Sequence, residues 1–327
     1  MRLYVTGGRQ KTRIFKREEE WNVYERALLL EVDPDKGTAE TRLDYQSPPE
    51  ACADGSPSIL FKTGTLEGGK LYLCTSTEVL IYQVPEFKRA GYVSLPCFND
   101  LHHVTPGTNG SLLAASTGLD LVVEFTAEGK VLREWNVLGE DPWRRFSKKV
   151  DYRKVLTTKP HLSHPNFVFM TGEDVWVTRF NQKDALCLTL PAKRIAIDLE
   201  KPHDGQPFNG KLYFTTVDGR VVIGDLGKLE VTEVIDLNPI DNPSGALLGW
   251  CRGLYVVDER HAWVGFTRVR KTKFKENIAW VKHAFRDTER PTHIALYDLR
   301  ERRLLKEVDL EKHGLNVVFS LHPVPAR

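Results

Sequence analysis

Lys211-Leu212-Tyr213-Phe214-Thr215-Thr216-Val217-Asp218-Gly219-Arg220-Val221-Val222-Ile223-Gly224-Asp225 holds two short apolar runs around an Asp-Gly turn. A third run, Val231-Thr232-Glu233-Val234-Ile235, alternates apolar and polar residues beyond Gly227. Runs of this length and β-branched content, bounded by turn residues, read as antiparallel strands. The first run has counterparts along the chain: Lys70 to Thr75, Ser111 to Thr117, Asp174 to Arg179, His261 to Arg268 and, at the N-terminus, Arg2 to Gly7. Asp174 lies 63 residues after Ser111, and Lys211 lies 37 after Asp174. A repeat of about 40 residues with insertions is the size of a four-stranded propeller blade.

Six copies predict six blades in an all-β, six-bladed β-propeller spanning residues 1–327 as one domain. The N-terminal copy lacks a preceding strand, and Asn316-Val317-Val318-Phe319-Ser320-Leu321 is a spare strand near the other end. Pairing the N- and C-terminal strands closes the ring and removes the exposed sheet edges that invite aggregation. The WD and Gly-His dipeptides of the common seven-bladed type are absent. Gly64 to Lys70 is glycine-rich, but its place between two strands reads as a hairpin rather than a phosphate loop.

Composition narrows the remaining classes. No apolar run is long enough for a transmembrane helix, the N-terminus has no signal-like segment, and the five cysteines form no CxxC pair. These features predict a cytoplasmic protein with free thiols serving as small buried side chains. The formal net charge is only +2. Neither nucleic acid nor membrane is an expected partner.

The inner strand of each blade starts on one face of the disc, at the channel mouth. Counting back from the second strands places Lys62, Asp100, His102, His103, His164, Asn166, His203, Asp204 and Arg252 at these starts. The second strands end in Arg179 and Arg268 on the same face. His103 precedes Ser111 by 8 residues, His203 precedes Lys211 by 8, and His164 precedes Asp174 by 10. A single histidine at a strand end ordinarily bonds a turn carbonyl; three in nearly constant register in three consecutive blades suggest a shared site.

Insertions near residues 10–26, 139–160 and 269–291 fall on that face. The second carries Arg144, Arg145, Lys148, Lys149, Arg153, Lys154 and Lys159, and the third is similarly basic. Phe274, Ile278, Val281 and Phe285 recur at helical spacing, which predicts an amphipathic helix over the mouth. The basic insertions would draw an anion toward the cleft.

Several stretches resemble an uncharacterised family of bacterial propeller proteins: Asn99-Asp100-Leu101-His102-His103-Val104, Ser116 to Asp120, Lys159 to Asn166, and Gly249-Trp250-Cys251-Arg252-Gly253. That likeness brings no established reaction. His164-Pro165-Asn166 with Arg179 is more distantly similar to the site of arylsulfotransferase propellers, at shorter spacing. The resemblance implies a histidine nucleophile, with Asn166 and Arg179 holding the oxygens of the transferred group.

Three readings follow. The first is a metal-free enzyme acting on a small anionic molecule by group transfer or lyase-type chemistry. His103, His164, His203 and Arg179 would be catalytic, and Asn166, Asp100, Asp204, Arg252, Arg268 and Lys62 would bind substrate. The second makes His103, His164 and His203 a tri-histidine site for a divalent transition metal such as zinc or iron. Calcium, which wants oxygen ligands, would have only Asp100, Asp204 and Asn166. The third is a non-catalytic scaffold for a ligand or a protein partner.

Overall fold

The computed structural model describes residues 1–11, 23–55, 57–269 and 290–325. Its strands form six four-stranded antiparallel sheets arranged in a ring, a six-bladed β-propeller. In chain order, β1 (Leu3–Gln10), β2 (Tyr24–Asp33) and β3 (Thr38–Tyr45) belong to blade one. Blade two is β4 (Thr65–Glu67), β5 (Lys70–Cys74), β6 (Val79–Gln83) and β7 (Lys88–Val93). Blade three is β8 (Leu101–Pro106), β9 (Leu112–Ser116), β10 (Leu121–Phe125) and β11 (Val131–Asn136). Blade four is β12 (Pro165–Thr171), β13 (Asp174–Arg179), β14 (Asp184–Cys187) and β15 (Arg194–Ala196). Blade five is β16 (Gln206–Phe208), β17 (Lys211–Thr216), β18 (Arg220–Asp225) and β19 (Glu230–Asp236). Blade six is β20 (Trp250–Val256), β21 (His261–Thr267), β22 (His293–Asp298) and β23 (Arg303–Asp309). Finally β24 (Val317–Pro323) returns to pair with β1 and completes blade one.

The apolar runs that reveal the repeat are buried on both faces, because each blade is pressed between two neighbours. In β17, Leu212 and Phe214 join the core shared with blade four, whereas Tyr213 faces the core shared with blade six. Period-2 alternation therefore divides one apolar strand between two cores. Six such clusters, one per blade pair, carry most of the buried apolar surface. Outer strands such as β11 and β23 alternate or turn polar because one of their faces meets water.

The closure follows the expected register: Tyr4 opposes His322, Val5 opposes Leu321, and Thr6 opposes Ser320. The ladder then shifts, so that Gly7 opposes Val318. A Cβ on Gly7 would lie 1.7 Å from the Val317 carbonyl oxygen, which is why no larger residue fits there. At the start of blade two the glycine-rich stretch is a plain hairpin, with Gly68 and Gly69 at φ +56° and +72°. Those angles are the ones a two-residue turn demands.

Among the described residues no helix is long and apolar enough to cross a membrane. The five cysteines are unpaired; Cys74, Cys97, Cys187 and Cys251 are buried, and Cys52 is half-buried. Residues 12–22 and 270–289 contain most of two insertions, so the expected lid helix at 274–285 lies outside the described residues.

The 139–160 insertion contains only one short 3-10 turn, at Tyr152–Lys154, and is tied down by backbone and side-chain bonds. The Tyr152 N–H donates to the Pro96 carbonyl, and the Asn99 amide donates to the carbonyls of Tyr152 and Val155. Its expected positive field is reduced by pairing. Arg144 meets Glu140, Arg145 meets Asp120, Lys148 meets Glu134, Arg153 meets Asp151, and Lys154 meets Asp54. Glu140 and Asp151 lie within the insertion, whereas Asp54, Asp120 and Glu134 stand apart from it in sequence.

Candidate functional site

β-Bulges near the starts of inner strands decide which side chains reach the channel mouth. Between β8 and β9, Leu101 opposes Ser116 and His103 opposes Ala115, so His102 is the extra residue. The same irregularity leaves Asn166 extra in β12 and Phe319 extra in β24, and sets Arg252 and Gly253 of β20 against the single Gly265. A bulge re-aims the side chain it carries. His102, Arg252 and Phe319 are thereby turned into one cavity of about 570 Å³. In the other two blades Lys62 and His203 stand just ahead of the short strands β4 and β16, and both line the same cavity.

Four imidazoles form a row in this cavity. The His203 and His102 ring centroids are 6.0 Å apart, those of His102 and His164 are 4.8 Å apart, and those of His164 and His161 are 5.1 Å apart. His203 and His102 are buried, and His164 and His161 are half-buried. The row thus runs from the floor toward the rim. Burial pushes all four below the ordinary histidine range, and for His203, His102 and His164 well below it. Neighbouring positive groups act in the same direction: Lys62 on His102, Arg252 on His203, and Lys159 on His164. At neutral pH these rings are therefore neutral.

Their hydrogen bonds fix several protons. His102 Nδ1 lies 2.8 Å from the Asp100 carbonyl oxygen. A carbonyl only accepts, so Nδ1 carries the hydrogen and Nε2 carries the lone pair. The Nδ1 atoms of His161 and His164 are 2.9 Å apart, so one of them carries its ring's hydrogen and donates it to the other. His203 Nδ1 is buried with no hydrogen-bond partner among the described residues. Lys62 forms an ion pair with Asp100. Burial alone would raise the Asp100 carboxyl, but Lys62, followed by His102, outweighs it and holds the group well below the usual carboxylate range. The Arg252 guanidinium lies 3.7 Å from the Phe319 ring centroid and donates Nε–H to the Val318 carbonyl.

Asp120 holds the outer half of the row. Its carboxylate accepts the backbone N–H groups of Leu162, Ser163 and His164 and also pairs with Arg145. This grip stabilises His164 at φ +61°, an uncommon conformation for a residue with a Cβ.

His103, expected in the row, points between blades. Its Nδ1 donates to the Val168 carbonyl, its Nε2 meets Thr65, and its ring lies on Phe167 with centroids 3.8 Å apart. Consequently His103, His164 and His203 do not meet at one point. Among the described residues, no group of three or more His, Cys, Asp or Glu side chains is placed to hold a metal ion.

Arg179 is absorbed by buried Asp184, at 2.8 and 2.6 Å, and by the Val137 carbonyl. Arg268 pairs with Glu311 at an exposed position. The Asn166 amide donates to the Pro202 carbonyl, and Asp204 accepts from the Thr215 hydroxyl and the Gly253 N–H. None of these four lines the cavity, whereas His164, His203, Asp100, Arg252 and Lys62 do. The set of His164, Asn166 and Arg179 that resembles arylsulfotransferases is not gathered round one point.

Sequence reasoning missed His161 and the aromatic wall of Phe180, Trp250 and Phe319. His161 and His164 are only three apart in sequence, so their closeness was legible there.

Fold and site together define a six-bladed β-propeller with a histidine-lined cavity at its channel mouth. Comparison with solved structures agrees on the fold. A protein of unknown function from Bacteroides caccae superposes with a TM-score of 0.61 at 11% identity, over 99% of each chain. A chain of the nidogen/laminin complex gives 0.55 at 7% identity, covering 98% of this chain and 97% of that one. A catalytically inactive virginiamycin B lyase from Staphylococcus aureus, with quinupristin, gives 0.43 at 14% identity over 64% and 67%. The first two likenesses show the fold alone. No protein-family model matches the chain, and no curated protein matches it in sequence.

Proposed function

We propose that the chain is an enzyme that takes a small anionic molecule into the channel mouth and moves protons on it. His102 is the base: its Nδ1 hydrogen is committed to the Asp100 carbonyl, which leaves the Nε2 lone pair for the ligand. His203 lines the same cavity, although its Nδ1 is itself buried. Arg252 borders the same cavity and favours a negative group there, beside Lys62, whose charge is shared with Asp100.

The observation that carries this reading is the gathering of neutral imidazoles beside Lys62 and Arg252 in one enclosed space. Proton abstraction needs an unprotonated ring nitrogen, and anion binding needs a fixed positive group. Both are present within a cavity of ligand size.

The test is thermal shift of the full chain with acetate, sulfate or inorganic phosphate at constant ionic strength. A ligand of the native state raises the unfolding temperature by an amount that grows with the logarithm of its concentration above its Kd. At least one of these anions is expected to raise it. Arg252→Ala and His102→Ala abolish the shift, and His103→Ala keeps the shift while unfolding at a lower temperature. No response to any of the three anions, or an equal response in all variants, overturns the proposal.

A further inference from the structure

We infer that the anion bound in this cavity carries an apolar body, aromatic or aliphatic, seated between two apolar patches at the mouth; this rests on the anion-binding reading above. Each of the six main apolar clusters is shared by two adjacent blades and is explained by blade packing. Two further clusters lie at the mouth, apart from those six. One is Phe180, Val217, Leu247 and Val269, with Trp250 packed against it. The other is Tyr24, Leu60, Val317 and Phe319. Phe180 and Trp250 from the first, and Tyr24, Leu60 and Phe319 from the second, line the cavity.

The imidazole row runs between these patches. The His164 ring lies 4.8 Å from Phe180, and the His102 and His203 rings each lie 6.3 Å from Phe319. A charged head held by Lys62, Arg252 and the imidazoles therefore has apolar surface on two sides. The insertion adds Leu156, which is 41% exposed although it is a large aliphatic residue at the cavity edge. A volume of about 570 Å³ leaves room well beyond a lone tetrahedral or carboxylate group. Apolar side chains around such room stabilise a ligand by removing its hydrocarbon from water.

Calorimetric titration of the full chain with straight-chain carboxylates from acetate to hexanoate, with benzoate, and with alkylamines of matching length tests this. Affinity is expected to rise about fourfold per methylene added, which is what burial of that group is worth. Benzoate is expected to bind more tightly than acetate, and the amines more weakly than carboxylates of equal length. Leu60→Ser and Phe180→Ala reduce the gain per methylene. A flat series in the wild-type protein, with acetate and hexanoate binding alike, overturns the apolar body and leaves the anion site standing. Amines that match the carboxylates in affinity and in slope overturn the anion reading and leave an apolar pocket. Absence of binding by every carboxylate overturns both.

Discussion

Asp204 shows how far a residue's place in sequence can mislead about its task. It follows His203 at the start of an inner strand, so it reads as a ligand-binding group. The structure buries it below the cavity floor residues, where it bonds Thr215 and Gly253. Burial pushes its carboxyl up to about 6, against the opposing pull of those bonds and of Arg252. An unfolded aspartate titrates near 3.9. Between about pH 4 and 6 the native state therefore holds a proton that the unfolded chain has released, so stability falls as pH rises through that window. Asp204→Asn is expected to be more stable than wild type by about 1–3 kcal/mol near pH 8, with the gain gone near pH 4. Urea denaturation at the two pH values measures this, and an equal gain at both would refute it. His102 and His103 teach the same lesson from the other side. Adjacent residues in a strand face opposite ways, and constant register with Ser111 cannot say which of two neighbouring histidines faces the mouth.

The strands themselves were legible because each central one is buried on both sides and must be apolar along its length. What the pattern could not show is the bulge. An inserted residue leaves no mark in hydropathy, yet bulges deliver His102, Arg252 and Phe319 to the cavity. The paired state of Arg179 was equally hidden: Asp184 lies five residues away on the next strand, where β13 and β14 place the two opposite each other. Loop geometry was hidden for a related reason, since Asp120 and the His161–His164 segment are separated by the whole 139–160 insertion. Asp120 is buried, accepts three backbone N–H groups and pairs with Arg145. Asp120→Ala leaves those donors without their acceptor, and the expected loss of stability is about 2–4 kcal/mol. The same variant should bind the anions of the site more weakly, because His161 and His164 lose their anchor. Urea denaturation within about 0.5 kcal/mol of wild type, a change typical of an ordinary surface substitution, would dismiss the anchoring role.

At the scale of the whole ring, the closure was legible from arithmetic: one strand too few at one end and one too many at the other. The structure adds the detail that Gly7 admits the Val317 carbonyl where the ladder shifts. Gly7→Ala must push β24 aside, and thermal or urea unfolding is expected to show a loss of roughly 3 kcal/mol or more, the range of severe packing clashes. A loss under about 1 kcal/mol would mean that the seam yields easily. The seam also imposes an order on synthesis. β1 emerges from the ribosome about 300 residues before β24. At cellular translation rates the gap is on the order of 15–60 s. Throughout that time blade one has an unpaired edge and a bare flank that only blade six can cover. The nascent chain must be shielded until β24 arrives, and a product that stops short of it keeps the open edge that proteases and chaperones recognise. Closing the ring with β24 makes native folding a check that translation has passed that strand.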